Sequence, residues 1–171
     1  MKRGWQTEDG VKYYYNAAGE RVTGTQVIDG TAYRFTPGGA LMGRIGIDVS
    51  EWQANVDWQK VRASGVSYVI LRLGFRGYGT GAIVEDSRFL QNVQGAKAAG
   101  LEVGVYFYSQ ALTEAEAEEE ALFTLERVQA LGLTGPVAYD LEFYTADEAR
   151  TDALTGQQAT LNAAAFCQVL E

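Results

Sequence analysis

Asp140-Leu141-Glu142 and Asp48 are the residues of this 171-residue chain whose types and spacing suit proton-transfer chemistry. On an extended strand, residues two apart face the same side, about 6.6–6.8 Å apart along the chain. Asp140 and Glu142 then share a face with Ala138, while Val137 and Tyr139 point the other way. Asp48 closes an earlier apolar run, with Gly46 beside it on its own face. Three carboxylates converging from two strand ends raise the pKa of at least one of them, which suits a general acid near neutral pH. Such a pair is what glycoside cleavage requires: one carboxyl protonates the leaving oxygen and another stabilises or attacks the oxocarbenium-like centre. Asp-x-Glu alone is a weak pattern that surface loops often carry. The apolar Pro136-Val137-Ala138-Tyr139 ahead of it points to a buried strand end.

The rest of the composition narrows the chemistry. The chain has no histidine, which removes Ser-His-Asp and Cys-His catalysis and most zinc and non-haem iron sites. Carboxylates, tyrosines and lysines remain for proton transfer, and neither a metal nor another cofactor is expected. The single cysteine, Cys167, lies in the run Ala163-Ala164-Ala165-Phe166-Cys167 and is expected to be a buried structural thiol. Residues 1–43 hold five basic and four acidic side chains, a net of +1, so the remainder carries −9 of the total −8. A segment that acidic excludes a nucleic-acid partner. Much of the excess sits in Glu114, Glu116, Glu118, Glu119, Glu120 and Glu126, expected to form a solvated helix face. No apolar stretch approaches the ~20 residues of a membrane span, and Met1-Lys2-Arg3-Gly4-Trp5 leads into no apolar signal-peptide region.

The elements that must position these carboxylates follow from periodicity and punctuation. Strands are expected at residues 45–49, 67–75, 101–108 and 136–141. Helices are expected at 56–64, 87–99, from the cap Thr113 to about 131, and from Thr155 or Gly156 into Glu171. A glycine-rich loop occupies residues 76–82. Strands followed by helices, four times over, mean a parallel sheet with right-handed crossovers. A doubly wound sheet would carry a glycine-rich turn after its first strand; here that place holds Ser50-Glu51-Trp52-Gln53-Ala54-Asn55. The chemically suggestive Asp48, Arg72, Tyr106, Asp140 and Glu142 all fall at C-terminal strand ends, where a barrel keeps its function. The expected fold is therefore α/β, a partial TIM-like barrel of about four β/α units over residues 44–171, preceded by small β-hairpin repeats. Four units cannot close an eight-stranded barrel, and the last helix has no stop signal, so the natural chain is expected to continue.

Residues 1–43 repeat with a period of 20: Gly4 matches Gly24, Asp9-Gly10 matches Asp29-Gly30, Tyr13 matches Tyr33, and Tyr15 matches Phe35. Asp-Gly between short β-rich runs is a strong type I′ hairpin signal. The pattern from Gly4 to Gly24 resembles the cell-wall-binding, choline-binding-type repeats of surface hydrolases. That resemblance implies aromatic cages or platforms for choline or another wall polymer, built from Trp5, Tyr13, Tyr14, Tyr33 and Phe35 through cation–π or stacking contacts. The same rings also suffice simply to fill the hairpin stack. Thr25 stands where Trp5 stands in the first unit.

The stretch Gly46-Ile47-Asp48-Val49-Ser50-Glu51-Trp52-Gln53 resembles the family 25 glycoside hydrolases. Val69-Ile70-Leu71-Arg72, Gly104-Val105-Tyr106-Phe107-Tyr108-Ser109 and Tyr139-Asp140-Leu141-Glu142 carry the same resemblance, in the same order. These are lysozymes that cut the β-1,4 bond between N-acetylmuramic acid and N-acetylglucosamine in peptidoglycan. The resemblance implies Glu142 as general acid, Asp140 as its partner carboxylate and Asp48 as the strand-one aspartate at the base of the cleft. Tyr106 and Tyr108 would contact sugar, and Arg72 would pair with an acid beneath the site. Peptidoglycan glycan strands are the implied partner, and an extracellular or wall-associated location the implied setting, with no membrane partner. The competing expectation is a non-catalytic wall-binding protein carrying a truncated, inactive barrel. A chitin-cleaving enzyme is disfavoured, because Ala138 and Pro136 stand where its signature has aspartates.

Overall fold

The computed structural model describes residues 1–142 and 149–171. Two hairpin units come first. Strands β1 (Gly4–Glu8) and β2 (Val11–Tyr15) pair antiparallel, and β3 (Gly24–Ile28), β4 (Thr31–Phe35) and β5 (Leu41–Arg44) form a three-stranded sheet. Asp9 and Gly10 have φ of 49° and 80°, and Asp29 and Gly30 have 50° and 73°, the two successive left-handed residues of a type I′ turn.

The chain then enters four β/α units. Strand β6 (Gly46–Val49) leads to α1 (Trp58–Ala63), β7 (Tyr68–Arg76) to α2 (Phe89–Ala98), β9 (Glu102–Tyr108) to α3 (Glu114–Ala130), and β10 (Val137–Asp140) to α4 (Gly156–Leu170). The main strands lie in the order β10-β9-β7-β6, all parallel. Each new strand is therefore added on the same side of the last. A doubly wound sheet reverses that order partway; a barrel does not. A short strand absent from the sequence expectation, β8 (Ile83–Glu85), pairs antiparallel with the end of β7. It takes the edge that β6 leaves free after Val49, which is paired with Leu71.

The helices cover one face of the sheet. Val69, Leu71 and Leu73 of β7 and Val105 and Phe107 of β9 pack with Phe89, Val93, Ala117, Ala121 and Phe166 in one buried cluster. Each fully buried large side chain contributes about 1.5–3 kcal/mol. Caps fix where helices start: Thr113 accepts from Glu116 N and Thr155 from Gln158 N. Cys167 is exposed, contrary to the expected buried thiol. Asn162, Ala165 and Phe166 form the buried stripe of α4, and one further residue turns 100° away from it. The glutamates of α3 are likewise not all solvated. Glu120 is fully buried among Ala117, Ala121 and Thr124, where its Oε1 meets Arg76 Nε at 2.7 Å. Arg76 also donates to the carbonyls of Gly81 and Glu116.

The second hairpin unit is fastened to the N-terminal ends of the parallel strands. Ala32 N donates to Gly65 O at 2.7 Å and Ile45 N to Ala32 O at 2.8 Å. Arg44 forks onto both carboxylate oxygens of Glu102 at 2.7 and 2.8 Å. Gly65 has φ +93°, and a Cβ there would meet Ala32 at 3.0 Å, so the contact requires glycine.

The buried pair makes a stability prediction. Arg76→Ala leaves Glu120 buried without its cation, and urea unfolding is expected to show a loss of about 3–5 kcal/mol. A loss below about 1 kcal/mol would mean that the pair is not a structural necessity.

Candidate active site

The parallel register aligns side chains across the sheet face away from the helices. Asp48 lies beside Ile70 and Ile70 beside Gly104; one level up, Arg72 lies beside Tyr106 and Tyr106 beside Ala138. At the rim, Phe75 and Asp140 flank Tyr108. An irregularity between Arg72 and Gly74 inserts a residue into β7 and re-aims the side chains beyond it, so that Phe75 comes to the same side as Tyr108. Ser109 N donates to Asp140 O at 2.8 Å and holds the end of β10 against β9.

These strand ends form the wall of a groove of about 340 Å³, within the size range of ligand sites. Arg72, Tyr106, Tyr108, Asp140 and Glu142 all line it. The strand expected through residue 141 ends at Asp140, so Glu142 reaches the groove from the segment beyond the ladder and is exposed at its mouth. Asp48 is exposed beside the groove rather than in its lining. Its charge nevertheless acts on Asp140 and Tyr106.

Burial raises the pKa of Asp140 above its ordinary 3.8, and the neighbouring charges of Glu142 and Asp48 raise it further. Tyr106 is pushed up to about 12, chiefly by burial. Burial also raises Tyr108, whose hydroxyl lies 2.7 Å from that of Tyr78. Both phenols therefore stay protonated at neutral pH and can donate hydrogen bonds. Arg72 binds two acids: its Nε meets Asp86 Oδ2 and its Nη2 meets Glu51 Oε1, each at 2.8 Å.

Asp86, Glu51, Trp52, Phe75 and Tyr78 were not singled out from the sequence. Glu51 and Trp52 stand inside the strand-one motif, which was the available signal. Asp86 had none, because its position follows from β8. Asp86 is 3% exposed and also accepts from the backbone N of Glu51 and of Arg88 at 2.9 Å each.

The aromatic candidates of the hairpins divide. Trp5 packs edge-on against Tyr14 and Tyr33, with ring centroids 5.1 and 4.9 Å away, and near Phe35 at 5.9 Å. Phe35 is buried and fills the stack. Tyr13 faces the other side of its strand, covered by the Arg21 guanidinium at 3.9 Å. Lys12, not foreseen as part of the cluster, sets its ammonium 4.7 Å from the Trp5 ring.

The family model of the glycosyl hydrolases family 25 matches residues 47–171. The chain belongs to that family. A choline-binding repeat model matches residues 2–43 of this family 25 chain. Among relatives, Lysozyme M1 of Streptomyces globisporus is 32% identical over 65 residues, 38% of this chain and 20% of that protein. The autolytic lysozyme of Clostridium acetobutylicum is 33% identical over 97 residues, 57% of this chain and 28% of that protein. The modular autolysin LytC of Streptococcus pneumoniae, solved with a synthetic peptidoglycan ligand, superposes with a TM-score of 0.60 at 21% identity. That match covers 98% of this chain and 50% of the LytC chain. The chain thus spans half or less of the proteins compared, and the likeness to LytC is one of fold. Among the described residues, no group of His, Cys, Asp or Glu is arranged to hold a metal ion, and no helix is long and apolar enough to cross a membrane.

Arranged in this way, the family 25 groove offers a crowded carboxyl pair and two neutral phenols that can bind hydroxyl-rich ligands. The crowding has a measurable signature. Asp140 holds its proton more tightly folded than unfolded, so its contribution to stability is full below about pH 3.8 and is lost as pH rises through the folded-state value. Asp140→Asn removes that loss. Its melting temperature is expected to exceed the parent's at pH 7 by roughly 2–4 °C, with the gap closing toward pH 3. An equal or lower melting temperature at pH 7 would contradict the crowding.

Proposed function

We propose that the chain is the wall-binding and catalytic part of a peptidoglycan hydrolase, a lysozyme-type muramidase. It cleaves the β-1,4 bond between N-acetylmuramic acid and N-acetylglucosamine. The observation that carries this reading is the joint presence of Asp140 and Glu142 in one groove, with Tyr106 and Tyr108 beside them. Family membership and the names of the two lysozyme relatives support it.

In this reading Glu142, at the solvent-facing mouth, gives its proton to the glycosidic oxygen, which leaves as the 4-hydroxyl of N-acetylglucosamine. Asp140 and, from slightly further off, Asp48 stabilise the positive charge that develops at the muramic anomeric carbon; water supplies the hydroxyl that ends there, and its other proton restores the acid form of Glu142. Tyr106 and Tyr108 hold sugar hydroxyls. Arg72, bound to Glu51 and Asp86, shapes the floor instead of neutralising the acids. Residues 44–171 form the catalytic unit and residues 1–43 the unit that binds the wall, and the protein works at the bacterial cell wall outside the cell. Choline is the proposed ligand of the Trp5, Tyr14 and Tyr33 cluster, supported by the Lys12 ammonium over Trp5, a cation–π contact of the kind a quaternary ammonium makes.

Two measurements test the two halves. Glu142→Gln is expected to lower the release of new reducing ends from purified peptidoglycan by about 10²–10⁴-fold while leaving wall sedimentation intact. Release unaffected by the substitution would remove Glu142 from its role, and no release from the unsubstituted chain would favour a purely wall-binding protein. Trp5→Ala combined with Tyr33→Ala is expected to abolish sedimentation with choline-bearing walls, and free choline should elute the parent. Retention of the double variant on such walls would remove the aromatic cluster as the binding site.

A further inference from the structure

Trp52 is 78% exposed, yet it forms part of the wall of the groove. A ring of that size loses the benefit of burial when it stands in water, and a loose turn would let it fold under. The turn that carries it is not loose. Residues Glu51–Gln53 form a single 3-10 turn, and Ser50 caps it by accepting from Trp52 N. The Gln53 side chain accepts from Ser50 N at 2.7 Å. On either side of Trp52 the chain is fixed as well. Glu51 donates its backbone N–H to Asp86, and its carboxylate binds Arg72 and Ser87. Ala54 ends the turn at φ 51°, in the left-handed region. The fold thus commits several buried polar groups to holding one indole out in solvent, at the lip of a groove.

We infer that Trp52 is a stacking platform for a pyranose ring of the glycan, at a subsite remote from the bond that is cut. A pyranose presents C–H bonds on one face and hydroxyls around its edge, and the electron-rich face of an indole takes the C–H side. This inference rests on the glycan reading of the groove and extends it by a separate residue and position. Trp52 follows β6 and Glu142 follows β10, the two outer strands of the parallel set. Three strand spacings separate them, roughly 14 Å, which is more than one sugar ring spans. A glycan lying across the strand ends from Glu142 to Trp52 therefore places a different ring at each.

The position dictates the test. The full chain carrying Glu142→Gln, which suppresses turnover, is titrated by intrinsic fluorescence with two probes: a hexasaccharide of alternating N-acetylglucosamine and N-acetylmuramic acid, and the corresponding disaccharide. Adding Trp52→Ala is expected to weaken hexasaccharide binding about tenfold, leave disaccharide binding unchanged and remove most of the fluorescence response. Trp52→Phe should restore most of the affinity. On the otherwise unsubstituted chain, Trp52→Ala should raise KM for long glycans with little change in kcat. Equal hexasaccharide binding with and without the indole would overturn the inference, as would equal weakening for both lengths. Failure of the hydrolase reading looks different: saccharide binding that depends on Trp52, with no reducing ends released by the parent, keeps the platform and removes the enzyme.

Discussion

Asp140 is partly withdrawn from water while the charges of Glu142 and Asp48 bear on it, and the parallel strands are what bring those groups to one rim. Asp48 comes to that neighbourhood from a separate chain segment, which requires strands that end together. Parallel strands added in sequential order supply that condition, because every C-terminal end opens on the same rim. The extra residue in β7 turns Phe75 toward the rim, and the Ser109 to Asp140 hydrogen bond fixes the height at which β10 stops. Arg72, the cation lining the same groove, is already bound to Glu51 and Asp86. Its charge organises the floor and leaves the carboxyl pair uncompensated.

Much of this was legible in the sequence because it depends on local pattern. Four strand–helix alternations, the Thr113 and Thr155 caps and the two Asp-Gly turns follow from residue types at fixed spacing, and the structure has them within one or two residues. What stayed hidden depends on tertiary placement. Asp86 acquires meaning only because β8 folds back on β7. Glu120 looks like one more solvated glutamate until α3 is rotated so that its Ala117 and Ala121 face the sheet. Cys167 follows an apolar run but lies one residue past the buried stripe of α4. The pleat argument put Asp140 and Glu142 on one strand face; Glu142 instead reaches the groove from beyond the strand, which alternation could not have shown.

The hairpins show the same division between pattern and packing. The 20-residue repeat identified the aromatic positions, but not that the strand pleat sends Tyr13 to the face opposite Trp5 and Tyr14. Nor could it show that Phe35 serves the interior of the stack. Tyr15, too, is drawn inward: Glu8 accepts from its hydroxyl, from Lys2 and from Arg21. Those donors, Lys2 first and then Tyr15, hold the Glu8 carboxyl down at about 2. A small unit without a large apolar core thus replaces part of it with stacked cations and a shared carboxylate.

The second hairpin grips the sheet through Gly65 and Glu102, at the end where the parallel strands begin, whereas the carboxylates stand where they finish. The second hairpin unit and the carboxylates consequently stand at opposite ends of the parallel strands, with hydrogen bonds and a forked ion pair fastening the hairpin. On the proposed function, that arrangement separates the place of attachment from the place of cutting. A wall polymer held by the hairpin aromatics and a glycan lying in the groove would then be separated by the length of the strands between them.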